Sequence, residues 1–246
     1  MPQLRVRPWG VRAIVCLVIG CFCSLVRIGS ARAELEPFLL AETSTEPGVI
    51  VYPSRASGTR RITVLLHGMC SEPQNACSHF AERVTEQEHL VCPRARQRCQ
   101  GGGSIWPHTR FASDIEAAVQ RALSALAARV DANAPRTLIG YSLGAFRALD
   151  LAEAADGRYP RVMLIGAKIY PNARELTRNG VERLLLAAGD WDMMNAHMQQ
   201  QTRLLARRGF AARFLGLGRA GHNFTPSFAN YLPSALSWLH AEQAAP

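Results

Sequence analysis

Residues 138–146 read Leu-Ile-Gly-Tyr-Ser-Leu-Gly-Ala-Phe. The pattern Gly-x-Ser-x-Gly is centred on Ser142. An apolar, β-branched run (Thr137–Tyr141) precedes it and a helix-forming run (Leu143–Ala155) follows. A serine on a strand-to-helix turn, with Gly140 and Gly144 leaving room for the turn to tighten, is the setting of a nucleophile elbow. The turn exposes the hydroxyl, and the helix N-terminus beneath it favours developing negative charge. An ordinary glycine-flanked turn with a capping serine would read the same way, so the meaning depends on what the rest of the chain supplies.

Outward from this stretch, strand-like runs alternate with helical ones. Strands are expected at Val49–Tyr52, Ile62–Leu66, His89–Cys92, Thr137–Tyr141, Val162–Ile165, Leu184–Ala187 and Ala211–Leu215. Helices are expected at Cys77–Glu88, Phe111–Val130, Leu143–Ala155, Met194–Arg208 and Phe228–Glu242, with Ser113 and Glu116 offering a capping box in the second. Continuous apolar strands are buried on both faces, and alternation with helices indicates βαβ units and a largely parallel sheet. Only residues 167–182 separate two of the strands, which leaves no room for a large lid domain.

The first 33 residues are set apart. Arg5, Arg7 and Arg12 precede an apolar run from Ala13 to Val26, and Ala31 and Ala33 have the spacing that a signal peptidase reads. This predicts a signal peptide over 1–33 and one domain over 34–246. Val18-Ile19-Gly20-Cys21 also resembles a lipobox, and an uncleaved anchor is a third reading; all three place the domain outside the cytosol, with membrane contact only through the leader. Without its five arginines the formal charge falls from +9 to +4, a mildly basic surface and not a nucleic-acid footprint.

Seven cysteines are present, of which Cys16, Cys21 and Cys23 lie in the leader. The remaining four, Cys70, Cys77, Cys92 and Cys99, suggest two disulfides in an exported chain. Four cysteines allow three connectivities. Proximity favours Cys70–Cys77 and Cys92–Cys99. The spacings are too wide for a zinc knuckle, and no metal is expected.

A serine hydroxyl needs a base. His222, in Ala-Gly-His-Asn-Phe (220–224), follows the last strand and precedes the last helix, and is favoured over His67, His79, His89, His108, His197 and His240. An acid must orient that histidine. Gly-Asp-Trp-Asp (189–192) offers two, and Asp192 is favoured, with Asp190 expected to satisfy turn amides. The oxyanion donors are expected to be the backbone amides of Leu143 and of Met69, in His67-Gly68-Met69. A Cys70–Cys77 bridge would stiffen the loop just after Met69. The segment Pro93–Arg110, with Arg94, Arg96, Arg98, Trp106 and His108, either borders the substrate or is a stapled loop with Trp106 packed as core.

Leu-Leu-His-Gly-Met (65–69), Gly-Tyr-Ser-Leu-Gly (140–144), Gly-Asp-Trp-Asp (189–192) and Ala-Gly-His-Asn-Phe (220–224), in that order, make residues 49–241 resemble the α/β-hydrolase superfamily, in particular small lidless serine esterases and dienelactone-hydrolase-like proteins. The resemblance implies an eight-stranded, mostly parallel sheet flanked by helices. It also implies a cofactor-free, two-step cleavage of a small-molecule ester through an acyl-enzyme. Dienelactone hydrolases usually carry cysteine where this chain has Ser142, which favours ester chemistry. Two alternatives stay open: a thioesterase or acyltransferase of the same fold, and a non-catalytic envelope binding protein that keeps it.

Overall fold

Along each central strand, successive side chains enter two different cores. Val64 and Leu66 pack with Leu138, Leu184 and Leu186 in one, while Leu65 packs with Ile139, Met163 and Leu185 in the other. Alternate residues of a strand face opposite sides, so apolar residues at every position require helices on both faces. The computed structural model describes residues 36–56, 58–126, 130–131, 134–154 and 157–241. The leader expected at 1–33 lies outside the described residues, as do residues 127–129, Ala155 and Glu242, at or near the ends of three expected helices.

Eight strands form the main sheet: β1 (Phe38–Leu40), β2 (Val49–Tyr52), β3 (Ile62–Leu66), β4 (His89–Pro93), β7 (Thr137–Tyr141), β8 (Arg161–Ile165), β9 (Arg183–Ala188) and β10 (Ala212–Gly216). Their spatial order is β1-β2-β4-β3-β7-β8-β9-β10. The pairs β1–β2 and β2–β4 are antiparallel, and every other neighbouring pair is parallel. Two-residue strands β5 (Gln97–Arg98) and β6 (Ser104–Ile105) form a separate small hairpin.

Helices α2 (Phe111–Leu126), α3 (Leu143–Ala152) and α5 (Asn195–Arg207) cover one face, and α1 (Pro73–Val84) and α6 (Leu232–His240) the other. Between β8 and β9 there is only the short α4 (Ala173–Arg178), so no lid stands over the sheet there.

Three expectations change. Helix α1 starts at Pro73 and not at Cys77, because proline at the first helical position has a suitable φ and needs no amide partner. The terminal helix is split into a 3₁₀ turn (Pro226–Asn230) and α6, each with a proline in its first turn. The capping box is not formed. Ser113 lies inside the first turn of α2 and donates to Arg110 O at 2.8 Å, while Glu116 instead pairs with Arg136 and Arg158.

The disulfides also differ from the expected pairing. Cys70 is bonded to Cys99 and Cys77 to Cys92, one bridge nested inside the other. Cys77 on α1 and Cys92 on β4 face each other in the core beneath the sheet, fully buried. This leaves Cys70, at the end of the β3 loop, to meet Cys99 on the β5–β6 hairpin. Chain proximity is a poor guide here because the fold brings α1 back against β4.

Candidate active site

The carboxyl ends of β3, β7, β8, β9 and β10 meet at one edge of the sheet, where the crevice of an open α/β sheet lies. Ser142 sits there between β7 and α3 with φ 54° and ψ −119°, a conformation that few non-glycine residues adopt. The surroundings fix it. A Cβ at Gly140 would lie 2.5 Å from Gly144 O, and one at Gly144 would lie 2.2 Å from Leu66 O. The strand–turn–helix junction therefore admits only glycine on either side of the serine. The Ser142 amide donates to Ile165 O at 2.9 Å, anchoring the turn to β8.

His222 Nε2 lies 2.9 Å from Ser142 Oγ, and His222 Nδ1 lies 2.9 Å from Asp192 Oδ2. These partners place the ring proton on Nδ1, since a carboxylate can only accept, and leave Nε2 to accept from the serine hydroxyl. The Asp192 side chain is 5% exposed against 45% for His222. Its second oxygen accepts from the Met194 amide at 2.9 Å. Asp190 is exposed, and it is Asn195 Nδ2 that satisfies Gly189 O, at 2.8 Å. The loops carrying Asp192 and His222 are held to each other through Asp190 N–Gly218 O (2.8 Å) and Trp191 N–Ala220 O (3.0 Å).

Sequence reasoning missed three neighbours. Tyr141 donates its hydroxyl to His222 O at 2.8 Å and stacks on the imidazole with centroids 5.3 Å apart. Phe224 packs on Tyr141 at 4.5 Å and on Phe228 at 4.7 Å, pinning the His222 loop to the aromatic cluster beneath it. Gly166, with φ 61°, lies under the pair, where a Cβ would be 2.9 Å from His222 Cε1 and 3.0 Å from Asp192 Oδ2. The only sequence signal was their adjacency to the motifs: Tyr141 and Phe224 lie within them, and Gly166 ends a strand.

The loop after β3 crosses the elbow so closely that a Cβ at Gly68 would lie 3.3 Å from that of Ser142. Among the described residues, the Met69 and Leu143 amides are paired with no acceptor. His67 is fully buried beneath this loop. Its Nδ1 contacts Gly68 O at 2.7 Å, and its Nε2 accepts from the Ala95 amide at 3.2 Å, which fixes the neutral Nδ1–H tautomer. Burial lowers the His67 imidazole to about 4; the hydrogen bond to Gly68 O opposes this, and the nearby Arg94 adds to it.

Trp106 is core and not a substrate wall: it is 2% exposed, its Nε1 donates to His67 O at 2.8 Å, and its ring packs on His67 at 4.8 Å. His108 is exposed, with Nδ1 3.2 Å from Arg147 Nη2. The arginines at 94, 96 and 98 are engaged by Glu42 and Glu72. Exposed apolar side chains, Met69 (63%), Trp191 (69%) and Met193 (88%), lie on the loop after β3 and on the loop that carries Asp192. A cleft of about 490 Å³ lined by Arg61, Glu88, Pro233 and His240 lies at the opposite, amino-terminal end of the strands. Among the described residues no cluster of three or more histidine, cysteine or acidic side chains is placed to hold a metal, and no helix is long and apolar enough to cross a membrane.

No protein-family profile matches the chain, and no curated protein matches it. Solved structures do. Esterase PE8 superposes with a TM-score of 0.61 at 19% identity, covering 79% of this chain and 99% of its own. The fluorophosphonate-binding serine hydrolase FphF of Staphylococcus aureus gives 0.61 at 11% identity, covering 84% and 99%. Acyl-protein thioesterase 2 of Zea mays gives 0.53 at 19% identity, covering 76% and 98%. With its strand order, its helices on both faces and these likenesses, the chain has the α/β-hydrolase fold.

Proposed function

We propose that this protein is an exported serine hydrolase that cleaves carboxylic esters of small molecules through an acyl-enzyme on Ser142. The observation that carries the reading is the hydrogen-bonded series Ser142 Oγ, His222 Nε2, His222 Nδ1, Asp192 Oδ2, with 2.9 Å at each contact. In this reading Ser142 Oγ attacks the acyl carbon as His222 Nε2 takes its proton. Asp192 keeps the imidazole in the Nδ1–H tautomer and stabilises the imidazolium. The Met69 and Leu143 amides receive the oxyanion. His222 then gives the proton to the departing alkoxide. A water, deprotonated by the same nitrogen, releases the acid and restores Ser142. No step needs a cofactor.

Export is supported by the leader expected at 1–33 and by the two disulfides, which form in oxidising compartments. The domain is then residues 34–246. A thioesterase reading is kept alive by the likeness to the Zea mays thioesterase, since the same groups would serve a thioester. The ratio of kcat/KM for matched oxygen and sulfur esters separates the two.

The test is labelling with a fluorophosphonate followed by peptide mapping. Label is expected on Ser142 alone, with none on Ser142→Ala and turnover of short aryl esters lost in that variant. Folded, disulfide-intact protein that takes no label, or Ser142→Ala protein that keeps turnover, would reject the hydrolase reading.

A further inference from the structure

We propose that the β5–β6 hairpin, tied through Cys70–Cys99, positions the Met69 amide, and that this disulfide is a reducible control of turnover. The proposal rests on the hydrolase reading above. Cys70, the residue after Met69, has φ 49°, in the left-handed region that a non-glycine residue keeps only when its surroundings enforce it. Those surroundings are almost all on the hairpin side. Ser71 and Ser104 exchange backbone hydrogen bonds at 3.2 and 3.1 Å. Gly103, at φ 71°, packs so closely that a Cβ there would lie 2.4 Å from Cys70 O. Ser104 Oγ lies 3.4 Å from His67 Nε2, and Trp106 Nε1 holds His67 O. The loop from His67 to Ser71 thus takes its shape from residues 95–106. The covalent link between the two is Cys70–Cys99.

The two disulfides differ in access. Cys77 and Cys92 are fully buried, whereas Cys70 is exposed and Cys99 partly so. Exchange requires a thiolate to reach a sulfur, so a dithiol reductant meets Cys70–Cys99 first. It gives two electrons and two protons, leaving two protein thiols and an oxidised, disulfide-bonded reductant. The released loop no longer enforces the Cys70 conformation, and the adjacent amide loses its aim. Loss of one oxyanion donor slows the chemical step by about 10²- to 10³-fold without touching ground-state binding.

The experiment is brief dithiothreitol treatment of the folded protein, with alkylation and mapping of free thiols, alongside kcat and KM for an aryl ester and near-ultraviolet circular dichroism. The expected result is alkylation of Cys70 and Cys99 ahead of Cys77 and Cys92. A kcat lower by about 10²-fold, a KM within a few-fold, an unchanged dichroism spectrum and recovery on reoxidation should accompany it. The double variant Cys70→Ser/Cys99→Ser should reproduce the low kcat permanently, while Cys77→Ala/Cys92→Ala should keep kcat per folded molecule. If reduced wild type and the Cys70/Cys99 variant both keep full kcat, or if kcat falls only in step with the dichroism signal, the positioning role is wrong. Oxidised wild type with no Ser142-dependent turnover would instead sink the hydrolase reading, and this proposal with it.

Discussion

Asp190 and Asp192 stand two residues apart in one motif, yet only Asp192 is buried against His222. Asp192→Asn would reverse the tautomer that the histidine needs and should lower kcat by about 10⁴-fold, whereas Asp190→Asn, at an exposed position, should stay within a few-fold of wild type. Steady-state kinetics of the two variants decides; the opposite ranking would reassign the acid. His67 supports a pH prediction. Its folded value of about 4 lies below the ordinary 6.5, so between these values an unfolded chain binds a proton that the folded chain refuses. Stability from this residue is therefore complete above pH 6.5 and is lost as pH falls toward 4. The shift corresponds to roughly 3 kcal/mol. The stability difference between wild type and His67→Gln, from denaturant titrations, should shrink by about that much between pH 7 and pH 4; a difference constant with pH would refute it. At this scale the three residues with motif signatures were legible from sequence. Gly166 and Tyr141 were not, because their importance comes from what lies against them in space.

Among the elements, the parallel strands β3, β7, β8 and β9 were readable almost to the residue, since burial on both faces leaves an unbroken apolar run. Helix α1 was misplaced by four residues because its entry is set by Pro73, outside the amphipathic pattern. The hairpin β5–β6 escaped notice for a different reason. Its strands have two residues each, carry no alternation, and exist through the disulfide and the Ser71–Ser104 pairing. The bridge between α1 and β4 has a separate, mechanical task. Cys77 and Cys92 are 15 residues apart, and a loop of that length is stabilised by about 3 kcal/mol. Cys77→Ala/Cys92→Ala should lower unfolding free energy by about that amount in urea, with esterase activity of the folded fraction retained. A change well under 1 kcal/mol would mean that core packing alone holds α1 to β4.

Over the whole molecule, the mostly parallel sheet, its helices on both faces and the single edge that gathers Ser142, Asp192 and His222 follow from alternating strands and helices, and that much the sequence made visible, whereas the strand order was not legible in it. The pairing of the four cysteines did not follow, and the nested arrangement bears on how the chain acquires it. Cys70 and Cys77, like Cys92 and Cys99, are only seven residues apart, whereas the native partners are 29 and 15 apart. In a disordered chain, closing the two short loops is favoured over the two native ones by roughly 2 kcal/mol of entropy. Reoxidation of reduced, denatured protein, quenched by alkylation and mapped, should therefore trap the adjacent pairs early and the nested pairs late, with a disulfide isomerase shortening the lag. Nested pairs appearing first would mean that α1 and β4 assemble before any sulfur is oxidised. On either route the correct crosslinks are a product of the folded sheet and not its guide, and on the first this chain would need a compartment that can reshuffle disulfides as well as form them.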